Sequence, residues 1–203
     1  MKLLICCLLL SFSLPGFAKG DPKAGQNKAL VCSACHGADG HSTNPLWPNL
    51  AGQYASYLVQ QLHYYQSGEK RSSPIMSPLV TNLSQQDIED LAEFYAQKLL
   101  PPSPPAKTPM PRAEQLYRQG DLDLHIPACI TCHGPDGRGS EQAGFPMISH
   151  QQPEYIIQQL QAFKAGTRST DPLKIMRTIC EKLTPEDMQA LAEYLSHLGA
   201  SQK

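Results

Sequence analysis

The sequence predicts an all-α protein built from two tandem helical domains. Three observations predict it. Residues 32–36 read C-S-A-C-H and residues 129–133 read C-I-T-C-H. The stretch from His36 to Gly40 (H-G-A-D-G) matches that from His133 to Gly137 (H-G-P-D-G) at an offset of 97. Tyr57, Gln60, Gln61 and Leu62 match Tyr155, Gln158, Gln159 and Leu160 at 98, and Leu83, Asp87, Leu91, Ala92 and Glu93 match Leu183, Asp187, Leu191, Ala192 and Glu193 at 100. A fixed period of this kind marks an internal repeat. Between the motifs the apolar residues fall at helical spacing, and no alternating strand pattern competes with them.

The elements follow in chain order. Residues 1–18 carry Lys2, an apolar run from Leu3 to Leu14, the breaker Pro15 and the small-x-small stretch Gly16-Phe17-Ala18. This pattern is that of a secretory signal peptide, cut after about Ala18, which directs the chain to the periplasm. Cys6 and Cys7 offer a lipid anchor as the alternative, but the residue before Cys7 is Cys6 rather than a small one. The first domain spans 19–100. In it Tyr54, Tyr57, Leu58, Gln61, Leu62 and Tyr65 predict a helix that stops at Gly68. Ser84 with Asp87 reads as a capping box opening a second helix, with Ile88, Leu91, Ala92, Tyr95 and Leu99 facing inward. Residues 101–111 hold six prolines, an extended and semi-stiff linker that reaches about 34 Å if fully polyproline-like. The second domain spans 112–203, where Thr184 caps, Pro185 takes the first helical position, and Met188, Leu191, Ala192, Leu195 and Leu198 face inward. The drift of the offset implies three extra residues in the second copy, one before Pro146 and the others between Arg168 and Met176.

Composition narrows the function. The 203 residues carry a net charge of −1, without the basic excess of a nucleic-acid binder. After residue 18 no apolar run approaches the ~20 residues of a membrane span. A hydrophobic content of 41% is enough for a packed core.

C-x-x-C-H is the attachment motif of c-type haem. Two thiols two residues apart on a short helical stretch reach the two vinyl groups on one porphyrin edge, and the adjacent imidazole then faces the iron. The alternatives are a redox C-x-x-C pair, which has no need of the following His, and half a zinc site; two C-x-x-C-H motifs about ninety-seven residues apart make chance a poor explanation. Cys32, Cys35, Cys129 and Cys132 are therefore the predicted thioether residues, with His36 and His133 as iron ligands. Two covalent haem c groups result, and small domains of this length would draw much of their core from them.

The sixth ligand separates an electron carrier from an enzyme, because a Met sulfur fills the site and raises the potential. The repeat selects Met76 and Met176, which align at 100. Met147 aligns with Asn49 and Met188 with Ile88, and Met110 falls in the linker, so these read as packing residues. His41, His63, His125, His150 and His197 have no counterparts in the other copy. Cys180 aligns with Val80, a buried apolar position, with a reactive thiol as its alternative.

With these residues in hand the chain resembles the cytochrome c4 family, dihaem cytochromes of two tandem class I cytochrome c domains, each wrapped around one covalent haem. The resemblance rests on A-C-H-G-A-D-G, on A-C-I-T-C-H-G-P-D-G-R-G, and on L-S-Q-Q-D-I-E-D-L-A with L-T-P-E-D-M-Q-A-L-A. It implies Met76 and Met176 as axial ligands, and the Pro48 and Pro146 carbonyls as acceptors of the proximal imidazole N–H. It implies Lys70, Arg71 or Arg168 beside the haem propionates, with solvated charge as the alternative, and Trp47 and Phe145 at a haem edge or in an ordinary core. It also implies a carrier between redox protein partners, a bc1-type complex as donor and a terminal oxidase as acceptor, with face-to-face domains. The rival is a dihaem enzyme, a peroxidase or a thiosulfate dehydrogenase, with one open or displaceable axial position. Cys180, four residues beyond Met176, would be a substitute ligand in that case.

Overall fold

The computed structural model describes residues 20–199 apart from 102, 104 and 107. The expected signal segment, with Cys6 and Cys7, lies outside the described residues.

In the first domain α1 (Pro22–Lys28) and α2 (Leu30–His36) precede a long loop, then come α3 (Ala55–Ser67), α4 (Met76–Val80) and α5 (Gln85–Ala96). The second domain repeats the order with α6 (Pro111–Arg118), α7 (Ile130–His133), α8 (Pro153–Lys164), α9 (Ile175–Lys182) and α10 (Pro185–His197). Among the described residues there are no strands, only two isolated bridges, Asp121 with Ile126 and Ser140 with Phe145.

Packing repeats with the sequence. The carboxy-terminal helix of each domain is the hub: α1 and α3 pack on α5, and α6 and α8 pack on α10. α4 packs on α3 as α9 packs on α8. Gly25 lets α1 lie directly on α5, since a Cβ there would collide with the Asp90 carbonyl. Lys28 then bonds Asp87 and Asp90 on α5, and Arg112 on α6 bonds Asp187 on α10 and Asp121. Both hub helices open with the expected capping box: Ser84 with Asp87, and Thr184 with Asp187 behind Pro185. Each box satisfies two amide donors that the helix itself leaves unpaired. Gly68 ends α3 in the left-handed region at φ 69°.

Three expectations are corrected. Leu99 is 85% exposed rather than inward, because α5 ends at Ala96, where the Tyr95 carbonyl accepts from Gly52 and Lys98. The extra residues of the second copy also fall differently. Arg168 takes the place of Arg71 at an offset of 97, so the residue gained before Pro146 is lost again between Gly166 and Arg168, and three extra residues rather than two lie between Arg168 and Met176. They form the 3₁₀ turn Pro172–Lys174, in which Leu173 and Lys174 hold left-handed conformations. Met110, placed in the linker by the sequence, caps α6 and packs on the second core.

Candidate functional site

C-S-A-C-H forms the end of α2, and in the second copy Cys129 is the N-cap of α7, which holds the rest of C-I-T-C-H. His36 ends α2 and His133 ends α7, and Gly37 and Gly134 follow at φ 78° and 75°. That conformation turns the chain sharply after the His, and it suits glycine. The chain then returns beneath the ring. The Gly40 carbonyl accepts from the amides of Leu50 and Ala51, and the Gly137 carbonyl from those of Ile148 and Ser149. These bonds hold the intervening prolines in place. His36 Nδ1 is 2.9 Å from the Pro48 carbonyl, and His133 Nδ1 is 3.0 Å from that of Pro146. The H-G-x-D-G repeat is thus the hinge that brings a backbone acceptor to the imidazole.

Both rings are buried, at 5% and 8% exposure. Burial lowers the affinity of each for a second proton, and the bond to the proline carbonyl opposes this without reversing it. With Nδ1–H committed to the carbonyl, the free lone pair is on Nε2, as a metal ligand requires. The four motif cysteines are unbridged and half-buried. Burial pushes the Cys32 thiol up, and that of Cys129 up to about 11.

Met76 is the first residue of α4 and Met176 the second of α9, and both are half-buried. Met176 packs on the same core as Cys129 and Ile130. Met188 is deep in that core at 2% exposure. Cys180 is fully buried there, and burial, with Asp171 and Cys129 nearby, pushes its thiol up to about 12. The Phe145 ring lies 6.3 Å from that of His133. Trp47 is half-buried. His41 and His150 bond the Leu99 and Pro101 carbonyls, which pins the start of the linker. His63 faces Gln66, His197 faces Glu193, and His125 is exposed.

The most unusual chemistry lies between the domains. Arg71 and Arg168 are each 6% exposed. Arg71 Nη1 donates to Gln61 at 2.8 Å, while its Nη2 crosses to Tyr155 Oη at 2.6 Å and Gln159 Oε1 at 2.8 Å. Arg168 mirrors it, with Nη1 to Gln159 at 2.8 Å and Nη2 across to Tyr57 Oη at 2.7 Å and Gln61 Oε1 at 3.3 Å. Both guanidiniums are always charged. They share two amide oxygens, so two like charges are held close together in a buried setting where their repulsion is weakly screened. Among the described residues neither has a carboxylate partner. Each phenol accepts from an arginine, and the described residues give its own O–H no acceptor. This is a donor set for buried anions, and haem propionates supply such anions, so the residues present fit the group. Lys70, the third candidate, is exposed over the Tyr64 ring.

Sequence reasoning missed a second reciprocal contact. Gln53 bonds both backbone groups of Met147, at 2.8 and 3.1 Å, and Gln151 bonds both of Asn49, at 2.8 and 2.9 Å. Residues 49 and 147 directly follow the two prolines that hold the imidazoles. The signal was available, since Gln53 and Gln151 recur at 98.

The cytochrome c family model matches residues 23–97 and 112–199. Cytochrome c4 of Pseudomonas aeruginosa is 42% identical over 98% of this chain and 100% of its own. The chain belongs to the cytochrome c4 family. The crystal structure of reduced recombinant cytochrome c4 from Pseudomonas stutzeri superposes with a TM-score of 0.84 at 38% identity, over 88% of this chain and 99% of that one. A thiosulfate dehydrogenase electron acceptor from Thiomonas intermedia is 40% identical over 85% of this chain and 81% of its own. As a member of the cytochrome c4 family the protein is a dihaem electron-transfer cytochrome with one covalent haem c per domain. No helix among the described residues is long and apolar enough to cross a membrane.

Proposed function

We propose that the protein is a periplasmic carrier of single electrons whose two sites are closed. In this reading Cys32 and Cys35, and Cys129 and Cys132, form the thioethers. His36 and His133 would bind iron through Nε2, and Met76 and Met176 would supply the remaining ligand of each site. The haem iron supplies the ferric–ferrous couple. The chain's contribution is to keep the ligand set the same in both states, so that little rearranges when an electron moves. Pro48 and Pro146 fix the imidazole planes, and the half-buried methionines keep small molecules out. Arg71 and Arg168, with Tyr57 and Tyr155, hold the propionates. The observation that carries the reading is the twin His–Pro carbonyl bond, with a Met in the first turn of α4 and of α9.

A bc1-type complex as donor and a terminal oxidase as acceptor follow from the family resemblance. The likeness to a thiosulfate dehydrogenase electron acceptor favours a second donor, a thiosulfate-oxidising enzyme. The test is the ferric absorption spectrum with haem counted per chain. Two haems, a sulfur-to-iron band at the red edge and indifference to azide are expected. Met76→Ala and Met176→Ala should each remove about half of that band and open one site to azide, whereas Met147→Leu should change neither. A wild-type protein that binds azide readily would instead be an enzyme with an open site.

A further inference from the structure

We infer that Arg71 and Arg168 form one charge site shared by both haems, so that each arginine sets the reduction potential of the haem in the other domain as well as its own. The inference rests on the proposed haem attachment and goes beyond it, because a propionate clamp inside each domain would tune that domain alone.

The geometry points to sharing. Each guanidinium keeps one nitrogen on the glutamine of its own domain and sends the other across the interface to a phenol and a glutamine. Gln61 Oε1 and Gln159 Oε1 each accept from both arginines, so neither cation has a private acceptor amide. Tyr65 lies under Arg71, with the guanidinium carbon 4.6 Å from the ring centroid, and Phe163 under Arg168 at 4.5 Å. The stacked rings and the burial exclude water, so the field of each charge is weakly screened and reaches past its own domain. A positive charge stabilises the reduced iron, which carries one positive charge fewer. Removing either arginine therefore lowers potentials, and removing one of a shared pair lowers both.

Spectroelectrochemical titration of the holoprotein tests this. Arg71→Gln is expected to move both midpoints to lower potential, and Arg168→Gln to do the same, with the shifts persisting in high salt. Arg71→Lys keeps the charge and should leave both midpoints near the wild type. A purely structural role would make it behave like Arg71→Gln. Lys70→Gln, an exposed neighbour, should leave both midpoints unmoved in high salt. If Arg71→Gln shifts one midpoint only, or neither, or if Arg71→Lys matches Arg71→Gln, the proposal is overturned. The wild-type sample separates the two readings. Fewer than two haems per chain would overturn both, whereas two haems with a one-midpoint shift would overturn this one alone.

Discussion

Cys180 shows how burial decides a side chain's chemistry. It is four residues beyond Met176 and fully enclosed by the second core, and its thiol is pushed up to about 12. At neutral pH it holds almost no thiolate, which is the reactive form. A thiol reagent at pH 8 should leave Cys180 unmodified in the folded holoprotein and label it once denaturant is added, as mass spectrometry would read. Cys180→Ser puts a hydroxyl into an apolar core and should cost about 1–3 kcal/mol in denaturant unfolding. The red-edge band should be unchanged, and its loss would make Cys180 a ligand. At this scale the sequence showed which residues were paired between copies but not what they touch. Tyr57, Gln61, Tyr155 and Gln159 marked the repeat, yet each is bonded by the arginine of the other copy, 84 to 111 residues away, beyond any local pattern.

The helices were legible where their ends close on themselves. A capping box is complete within four residues, and the two at Ser84 and Thr184 formed as their residue types dictate. The end of α5 is set by Gly52, a residue from another segment, and so Leu99 was misplaced. Thr184→Ala should cost about 1 kcal/mol of stability, since one capping acceptor is lost. Asp187 gives the same helix a pH dependence. Burial alone would raise its pKa, but the Arg112 bond and the Thr184 amide overcome this and hold the carboxyl below its usual value. A depressed folded value means that the unfolded chain binds the proton first. The stability from Asp187 is therefore fully present above about pH 4 and drains away as the pH falls below it. Asp187→Asn should flatten the acid limb of a stability-against-pH curve and lower the plateau near neutrality. An acid limb as steep as the wild type's would show that Asp187 does not drive it.

At the scale of the whole molecule, two small cores are joined through polar contacts. The first core is built around Leu58, Leu91, Phe94 and Tyr95 and the second around Leu116, Tyr117, Met188 and Leu191. Between them lie the arginine pair and the two glutamine clasps, and Ser169 donates its amide to the Lys70 carbonyl. The clasps imitate backbone pairing, because one amide side chain meets both the N–H and the C=O of a residue in the other domain. Each net hydrogen bond contributes about 0.5–1.5 kcal/mol. The double variant Gln53→Ala, Gln151→Ala loses four of them, which weakens domain docking by roughly 2–6 kcal/mol. Neither glutamine belongs to a core, so each domain should remain folded. The wild-type holoprotein is expected to melt in one calorimetric transition. The double variant should melt in two, with faster proteolysis within 101–111 and a larger radius in X-ray scattering. One undivided transition in the variant would mean that the remaining contacts, the arginine network foremost, are enough to couple the domains, and adding Arg71→Gln to the variant would then be the change that splits it. The clasped residues adjoin Pro48 and Pro146, so domain separation also releases the segments that hold both imidazoles. The same variant should therefore broaden the red-edge band even where each domain keeps its haem.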